Sequence, residues 1–296
     1  MTVPWTRLIR FIATDGRTLR GDPILPSPDF DLGTTTESTN LKARVIKGED
    51  IYDTTGKTVV SDEIVTVKTL LGPLTEGDVP IIRCIGLNYS KHIREAGRKP
   101  PPFPMIFLKP STCIHDHGAN VKVPKIAQDK DIDYEGEFCF VIGKDAKDVK
   151  REEALKYIVA YTAGNDMSTR KLQRNPEYAG VVPQFSFSKG FDTYAPVGPC
   201  LVRSDVIGDP ASLHLMTIIN GDIRQDESVS DLLFDTAYLI EYLSSGTTLK
   251  KGEVFMTGTP GGIGLGMDPP QFLQPGDKME VNITKIGTLR NGVDFE

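Results

Sequence analysis

Asp133, Glu135 and Glu137 stand two residues apart in the run Asp131-Ile132-Asp133-Tyr134-Glu135-Gly136-Glu137-Phe138-Cys139-Phe140-Val141-Ile142. The second half of that run reads as a buried strand, and in a strand alternate side chains project from one face, so the spacing predicts three carboxylates pointing the same way. Like charges so crowded repel one another unless something neutralises them, and a hard divalent cation with oxygen ligands is the common remedy. A solvated strand face, acidic on its wet side, is the other reading of the same pattern.

Further groups with chemical potential follow the same logic. His92 and Glu95 are three apart in a short helical stretch ended by Gly97 and the proline run at 100–102, so the carboxylate can orient the imidazole as a general base. Asp166 falls at the end of a predicted strand over 158–164, where it is a plausible third oxygen ligand. Arg170 and Gln173 lie further along the same helical face. Lys189 sits between aromatics in Ser186-Phe187-Ser188-Lys189-Gly190-Phe191, either as partner to a developing enolate or reaching to solvent. The glycine-rich Thr257-Gly258-Thr259-Pro260-Gly261-Gly262-Ile263-Gly264 fits neither a P-loop nor a dinucleotide fingerprint, but its amides and the Thr259 hydroxyl can receive a carboxylate. Gly56-Lys57-Thr58 lacks the first glycine of a P-loop, since Ile51 occupies that place, and reads as a turn. His115-x-His117 has no third His or Cys near it and reads as a surface turn.

The elements that position these groups are mostly strands. Short apolar strands are predicted at 8–13, 44–46, 64–70, 81–86, 107–110 and 213–219, with another starting at Val254 and running into the glycine-rich loop, and turns at Asp15-Gly16 and Asn220-Gly221. A helix capped by Asp148 is expected from 150 to about 157, and another over 235–245, stopped by Gly246. Gly72-Pro73-Leu74 marks a boundary, giving a small N-terminal unit over 1–75 and a larger one over 76–296.

Composition narrows the partners. The 296 residues carry 34 basic and 40 acidic side chains, a net charge of -6, with no basic stripe, so nucleic acid is not expected. No apolar run reaches the length of a bilayer span and the first residues lack a secretory core, so a protein of the cytoplasm, or of mitochondria, is expected, with no membrane partner. The four cysteines are widely spaced without a Cys-x-x-Cys pair, which signals neither zinc nor a disulfide framework.

The order of these pieces resembles the fumarylacetoacetate hydrolase family: Ile85-Gly86-Leu87-Asn88-Tyr89 with His92 and Glu95, then Asp133 to Glu137, Asn165-Asp166-Met167-Ser168, Lys189-Gly190-Phe191-Asp192, and Thr257 to Gly264. The resemblance spans about residues 80 to 296. It implies a mixed α/β, strand-rich fold, a β-sandwich roll for the catalytic domain behind a small N-terminal β-rich domain, assembled as a homodimer. It also implies Mg²⁺ or Mn²⁺ on Glu135, Glu137 and Asp166, with Asp133 as a neighbour. The catalytic roles would fall to Lys189 and the pair His92 and Glu95, and substrate contacts to Arg170, Gln173 and Thr259. The implied substrate is a small 2-oxo acid, most directly an acylpyruvate cleaved by water through an enolate. Oxaloacetate decarboxylation or keto-enol tautomerisation, and a catalytically silent binding relative, stand as alternatives. Phe138, Phe185 and the 115–120 loop depart from the family's usual residues, which touches pocket shape rather than the ligand set.

Overall fold

The structure, a computed structural model, describes residues 2–95, 99–128 and 131–296, with the side chains of His92 and Glu95 outside that description. Its organising strand is Gly136–Ile142, every residue of which is buried. Phe138, Phe140 and Ile142 enter one hydrophobic core, while Cys139 and Val141 enter a second on the opposite side, the period-2 alternation of a strand covered on both faces. This strand pairs antiparallel with Ile158–Asn165 on one side and Val254–Met256 on the other.

Among the described residues the strands form three sheets. The largest, of eleven strands, runs in space through Thr18–Ile24, Lys42–Lys47, Val59–Leu71, Arg7–Ala13, Ala195–Arg203, Ile158–Asn165, Gly136–Ile142, Val254–Met256, Ile82–Gly86 and the edge strand Met105–Lys109, with Ile114–His115 attached to Ala195–Arg203. A five-stranded sheet built around His214–Ile219, Lys278–Ile283 and Gly287–Phe295 packs on it: Leu215, Val281, Ile283 and Leu289 share one core with Phe138, Phe140, Tyr161 and Val202. The third sheet is the small pair Ile132–Asp133 with Ser168–Thr169. The fold is thus mixed α/β and strand-rich, two sheets facing each other across a common core.

The N-terminal strands end at Leu71, just before the predicted boundary, and form their own antiparallel group. They are not free-standing: Leu8 pairs with Leu201, and Ile9, Phe11 and Leu70 enter the same core as Phe138.

Three local expectations are corrected. The acidic run is not one strand, because pairing breaks between Ile132–Asp133 and Gly136–Ile142, leaving Tyr134 and Glu135 between them. Asp148 does not cap the helix after it: it has φ 50 and accepts from the Gly246 amide, and Lys150 occupies the cap of Arg151–Ala154. His117 is buried, not on a surface turn, and its Nδ1 accepts from the Arg290 amide. Burial, reinforced by the Arg290 charge, lowers its pKa to about 4. No described helix is long and apolar enough to cross a membrane; Thr236–Ser244 has nine residues.

Candidate metal centre

Strand register assembles the carboxylates. Gly136 pairs with Asn165 and Glu137 with Gly164, and the Asp166 amide donates to the Glu135 carbonyl, so Asp166 meets the acidic run across the strand pair. Ligand oxygens of Glu135, Glu137 and Asp166 all lie within 4.8 Å of one another. Asp133, expected on the same face, has turned away. Its oxygens accept from the amides of Tyr134 (2.9 Å), Gly264 (2.7 Å) and Leu265 (3.0 Å) and from Arg170 Nε (2.8 Å), tying the glycine-rich loop to the acidic run.

Three buried cations surround the cluster. Lys189, the last residue of the helix Phe185–Lys189, places Nζ 2.7 Å from Glu135 Oε2 and 2.5 Å from Asp166 Oδ2. Arg170 opens the helix Arg170–Arg174 and bridges Asp133 Oδ2 and Glu135 Oε1 through Nη2, both at 2.7 Å. Lys109 places Nζ 2.5 Å from Asp166 Oδ1, with both side chains wholly buried. Burial opposes ionisation of Glu135, but Lys189 and Arg170 outweigh it and hold the carboxyl well below its ordinary range. For Glu137 burial, Asp166 and Glu135 act together and push the pKa up, against the amide of Gly258, which donates to Oε2 at 2.6 Å. Gly258 has φ +110, a conformation other residues rarely adopt, and this aims its N–H at the carboxylate.

Three oxygen donors that repel one another in a buried site suit a hard divalent ion, which would supply the positive charge that Glu137 lacks. The residues present therefore fit Mg²⁺ or Mn²⁺, held by Glu135, Glu137 and Asp166.

A cavity of about 500 Å³ opens over Glu135, Arg170, Gln173, Lys189 and Thr259. Gln173 is fully buried, and its Oε1 accepts from Arg170 Nη1 (3.3 Å) and Arg174 Nε (3.1 Å), which orients the amide. Its Nε2 has no partner among the described residues, leaving a buried donor available to a ligand oxygen. The Thr259 hydroxyl is engaged: it donates to the Gly136 carbonyl (2.8 Å) and accepts from Gln225 (2.7 Å), so it holds the loop against the acidic strand. The apolar lining is Met105, Phe107, Phe185, Ile263 and Leu265, with the Phe107 ring centroid 5.1 Å from Lys189 Nζ. Leu87, also in the wall, has φ 55, a strained conformation for leucine; the next residue, Asn88, is pinned by bonds to Thr257 and Phe234.

His92 and Glu95 lie on the helix Ser90–Glu95, but their side chains fall outside the described residues. The helix docks through buried Ile93, and Tyr89, just before its first residue, is also buried. Sequence reasoning missed Lys109, Gln225 and the apolar wall. For Lys109 a signal existed: Phe107 and Lys109 share a strand face, so a lysine that follows a buried phenylalanine by two also points inward, where it needs an anion.

The fold and the carboxylate cluster together define a strand-rich protein whose buried acidic centre, balanced by three cations, opens into an apolar cavity. Residues 81–294 match the family described as fumarylacetoacetate (FAA) hydrolase C-terminal, and the chain belongs to the fumarylacetoacetate hydrolase family. It is 41% identical over 214 residues to the oxaloacetate tautomerase YisK of Bacillus subtilis (strain 168), covering 72% of this chain and 69% of that one. It is 36% identical over 297 residues to the caffeoylpyruvate hydrolase of Neonothopanus nambi, covering 99% of this chain and 94% of that protein. Among solved structures it resembles the fumarylpyruvate hydrolase of Pseudomonas aeruginosa in complex with Mn²⁺ and pyruvate, with a TM-score of 0.65, 29% identity, and coverage of 80% and 93%. Relatives of this chain are thus enzymes of acylpyruvates and of oxaloacetate.

Proposed function

We propose that this protein is a divalent-metal-dependent hydrolase that cleaves the C–C bond of acylpyruvates, with a preference for a bulky apolar acyl group. The observation that carries the reading is one cavity with two unlike kinds of lining. Glu135, Arg170, Arg174, Lys189 and Gln173 with its free donor supply the polar part, and Met105, Phe107, Phe185, Ile263 and Leu265 the apolar part. A relative aligned over nearly the whole of this chain is a caffeoylpyruvate hydrolase, whose acyl group is bulky and aromatic.

When bound, Mg²⁺ or Mn²⁺ supplies Lewis-acid polarisation of adjacent 2-oxo acid oxygens. Arg170 and Gln173 orient the 2-oxo acid end from the floor of the cavity. Lys189, already between Glu135 and Asp166, stabilises the negative charge that develops on the enolate oxygen as the C–C bond breaks. His92, the general base that the family resemblance implies, takes a proton from the water that attacks the distal carbonyl. The apolar wall holds the acyl group and excludes bulk water from the base.

Oxaloacetate tautomerisation is the second reading, favoured by the 41% identity to a tautomerase. It uses the same base without a water nucleophile. The deciding test incubates the protein with aroyl- or cinnamoyl-type pyruvates and with oxaloacetate, with Mn²⁺ and after EDTA dialysis, following loss of the diketo absorbance, pyruvate, enol content and CO₂. Metal-dependent release of pyruvate from the acylpyruvates is expected. No cleavage alongside faster enol–keto exchange of oxaloacetate would transfer the assignment to the tautomerase.

A homodimer belongs to the same proposal. The edge strand Met105–Lys109 leaves Ile106 and Leu108 exposed, and the Leu108 amide donates to Ser186 Oγ, next in sequence to exposed Phe187, an apolar strip suited to a second copy. Light scattering on the purified chain is its test.

A further inference from the structure

Besides Lys189, which reaches Glu135 Oε2 and Asp166 Oδ2, each carboxylate of the cluster has an oxygen engaged by another donor of the protein. Glu137 Oε2 accepts from the Gly258 amide at 2.6 Å, Glu135 Oε1 meets Arg170 at 2.7 Å, and Asp166 Oδ1 meets Lys109 at 2.5 Å. The three donors differ in how firmly they hold. The Gly258 amide is neutral, and Arg170 lines the cavity, where a ligand can draw on it. Lys109 belongs to neither class: its side chain has no exposure, and its ammonium also donates to the Tyr194 carbonyl at 2.6 Å, with the Met167 carbonyl at 3.5 Å. Two backbone carbonyls therefore fix the ammonium from behind, and Asp166 Oδ1 faces a positive charge that cannot swing away.

We propose that Lys109 is a positioning residue that confines Asp166 to one ligand oxygen and thereby biases the cluster toward small six-coordinate cations and against calcium. The inference rests on the reading of Glu135, Glu137 and Asp166 as metal ligands. Its physical basis is the difference between the ions. Calcium takes six to eight oxygens and readily uses both oxygens of a carboxylate, whereas magnesium requires near-octahedral geometry and is served by one oxygen from each. A cation approaching Asp166 Oδ1 meets the Lys109 ammonium, so two-oxygen binding by Asp166 is blocked by charge as well as by the hydrogen bond. Lys189 does not do this, because it is shared with Glu135 and borders the cavity, where it serves the substrate.

The test is competition between Ca²⁺ and Mn²⁺ for the full-length protein, read by the electron paramagnetic resonance of free and bound Mn²⁺, in wild type and in Lys109→Met. The methionine keeps the shape of the stem and removes the ammonium. The wild type should prefer Mn²⁺, and the variant should narrow that preference by about tenfold, the scale on which groups behind a ligand tune metal affinity. A lysine with a merely structural role would weaken both ions alike and leave the ratio unchanged, which overturns the proposal. Should Lys109→Met fail to fold, the wild type alone decides. Hyperfine spectroscopy of bound Mn²⁺ in ¹⁷O-enriched water should find about three water ligands, the remainder of an octahedron after one oxygen from each carboxylate. Two or fewer would overturn the proposal, while absence of Mn²⁺ binding would remove the metal reading beneath it.

Discussion

Asp166→Asn isolates the charge balance of the centre from its chemistry. The Asp166 side chain has no exposure and is paired with Lys109, likewise fully buried, and with Lys189, which is 2% exposed. Asparagine keeps the volume and a carbonyl oxygen but loses the charge. Lys189 retains Glu135, whereas Lys109 is left with neutral carbonyl acceptors and no carboxylate. Removing one partner of a buried pair costs about 3–5 kcal/mol, because a desolvated charge is left uncompensated. With an unfolding entropy of about 2.1 cal/mol/K per residue, a chain of 296 residues loses roughly 0.6 kcal/mol of stability per degree near its midpoint. The variant should therefore melt about 5–8 °C below wild type, measured in EDTA so that no metal contributes. Adding Lys109→Met to Asp166→Asn removes the orphaned ammonium, and the double variant should be more stable than Asp166→Asn alone. An Asp166→Asn protein within about 1 kcal/mol of wild type, or a double variant whose loss equals the sum of the singles, would show that the two side chains are not coupled.

Three further outcomes are expected. His117, held neutral in the fold with its pKa lowered to about 4 from an ordinary value of 6.5, contributes stability that is present above about pH 6.5 and lost as the pH falls toward 4, because only the unfolded chain takes up the proton there. At pH 5 the loss is about 2 kcal/mol, and His117→Gln should flatten the wild-type difference in urea midpoint between pH 7.5 and pH 5 by that amount; equal slopes would refute it. Lys189→Ala should lower turnover of an acylpyruvate by at least about 10²-fold, the usual effect of deleting one stabiliser of a developing anion, and near-normal turnover would remove Lys189 from the reaction. His92→Ala should stop acylpyruvate hydrolysis while affecting oxaloacetate enolisation less, since only the first needs an activated water; equal loss of both activities would assign His92 another role.

Most strands were legible in the sequence, because burial on alternating faces leaves a local pattern; the run from Phe138 to Ile142 is the clearest case. The meeting of Glu135, Glu137 and Asp166 was legible only through the order of motifs, since the register that joins them pairs residues nearly thirty apart. Asp133 shows where local periodicity fails. Its two-residue spacing from Glu135 predicts a shared face, but amides of Gly264 and Leu265, from a loop far along the chain, supply three-dimensional partners that a repeating pattern does not encode. Lys109 was read as part of an ordinary strand, although its place two residues after Phe107 put it on the inward face, where the anion opposite it, Asp166, comes from a distant segment. Asp148 looked like a helix cap by type, yet Gly246 claimed its carboxylate from another segment.

The charge count of the cluster bears on which 2-oxo acid it suits. Asp133, Glu135 and Asp166 contact the three cations Lys109, Arg170 and Lys189, and Glu137 stands beside Glu135 and Asp166 with the Gly258 amide as its donor, leaving one negative charge in excess when all four carboxylates are ionised. A divalent ion reverses that to one positive charge. An acylpyruvate carries a single carboxylate, so its entry neutralises the loaded centre; oxaloacetate carries two and would return the centre to a net negative charge within the same buried volume. Uncompensated charge is costly in a site where Glu137 already resists ionisation through burial and its neighbours. Of the cavity's lining, Met105, Phe107 and Phe185 offer a second carboxylate no hydrogen-bond donor, and Arg174 already donates to Gln173 Oε1. Charge thus favours a monocarboxylate, and that is the physical argument behind the proposal of acylpyruvate cleavage ahead of oxaloacetate chemistry.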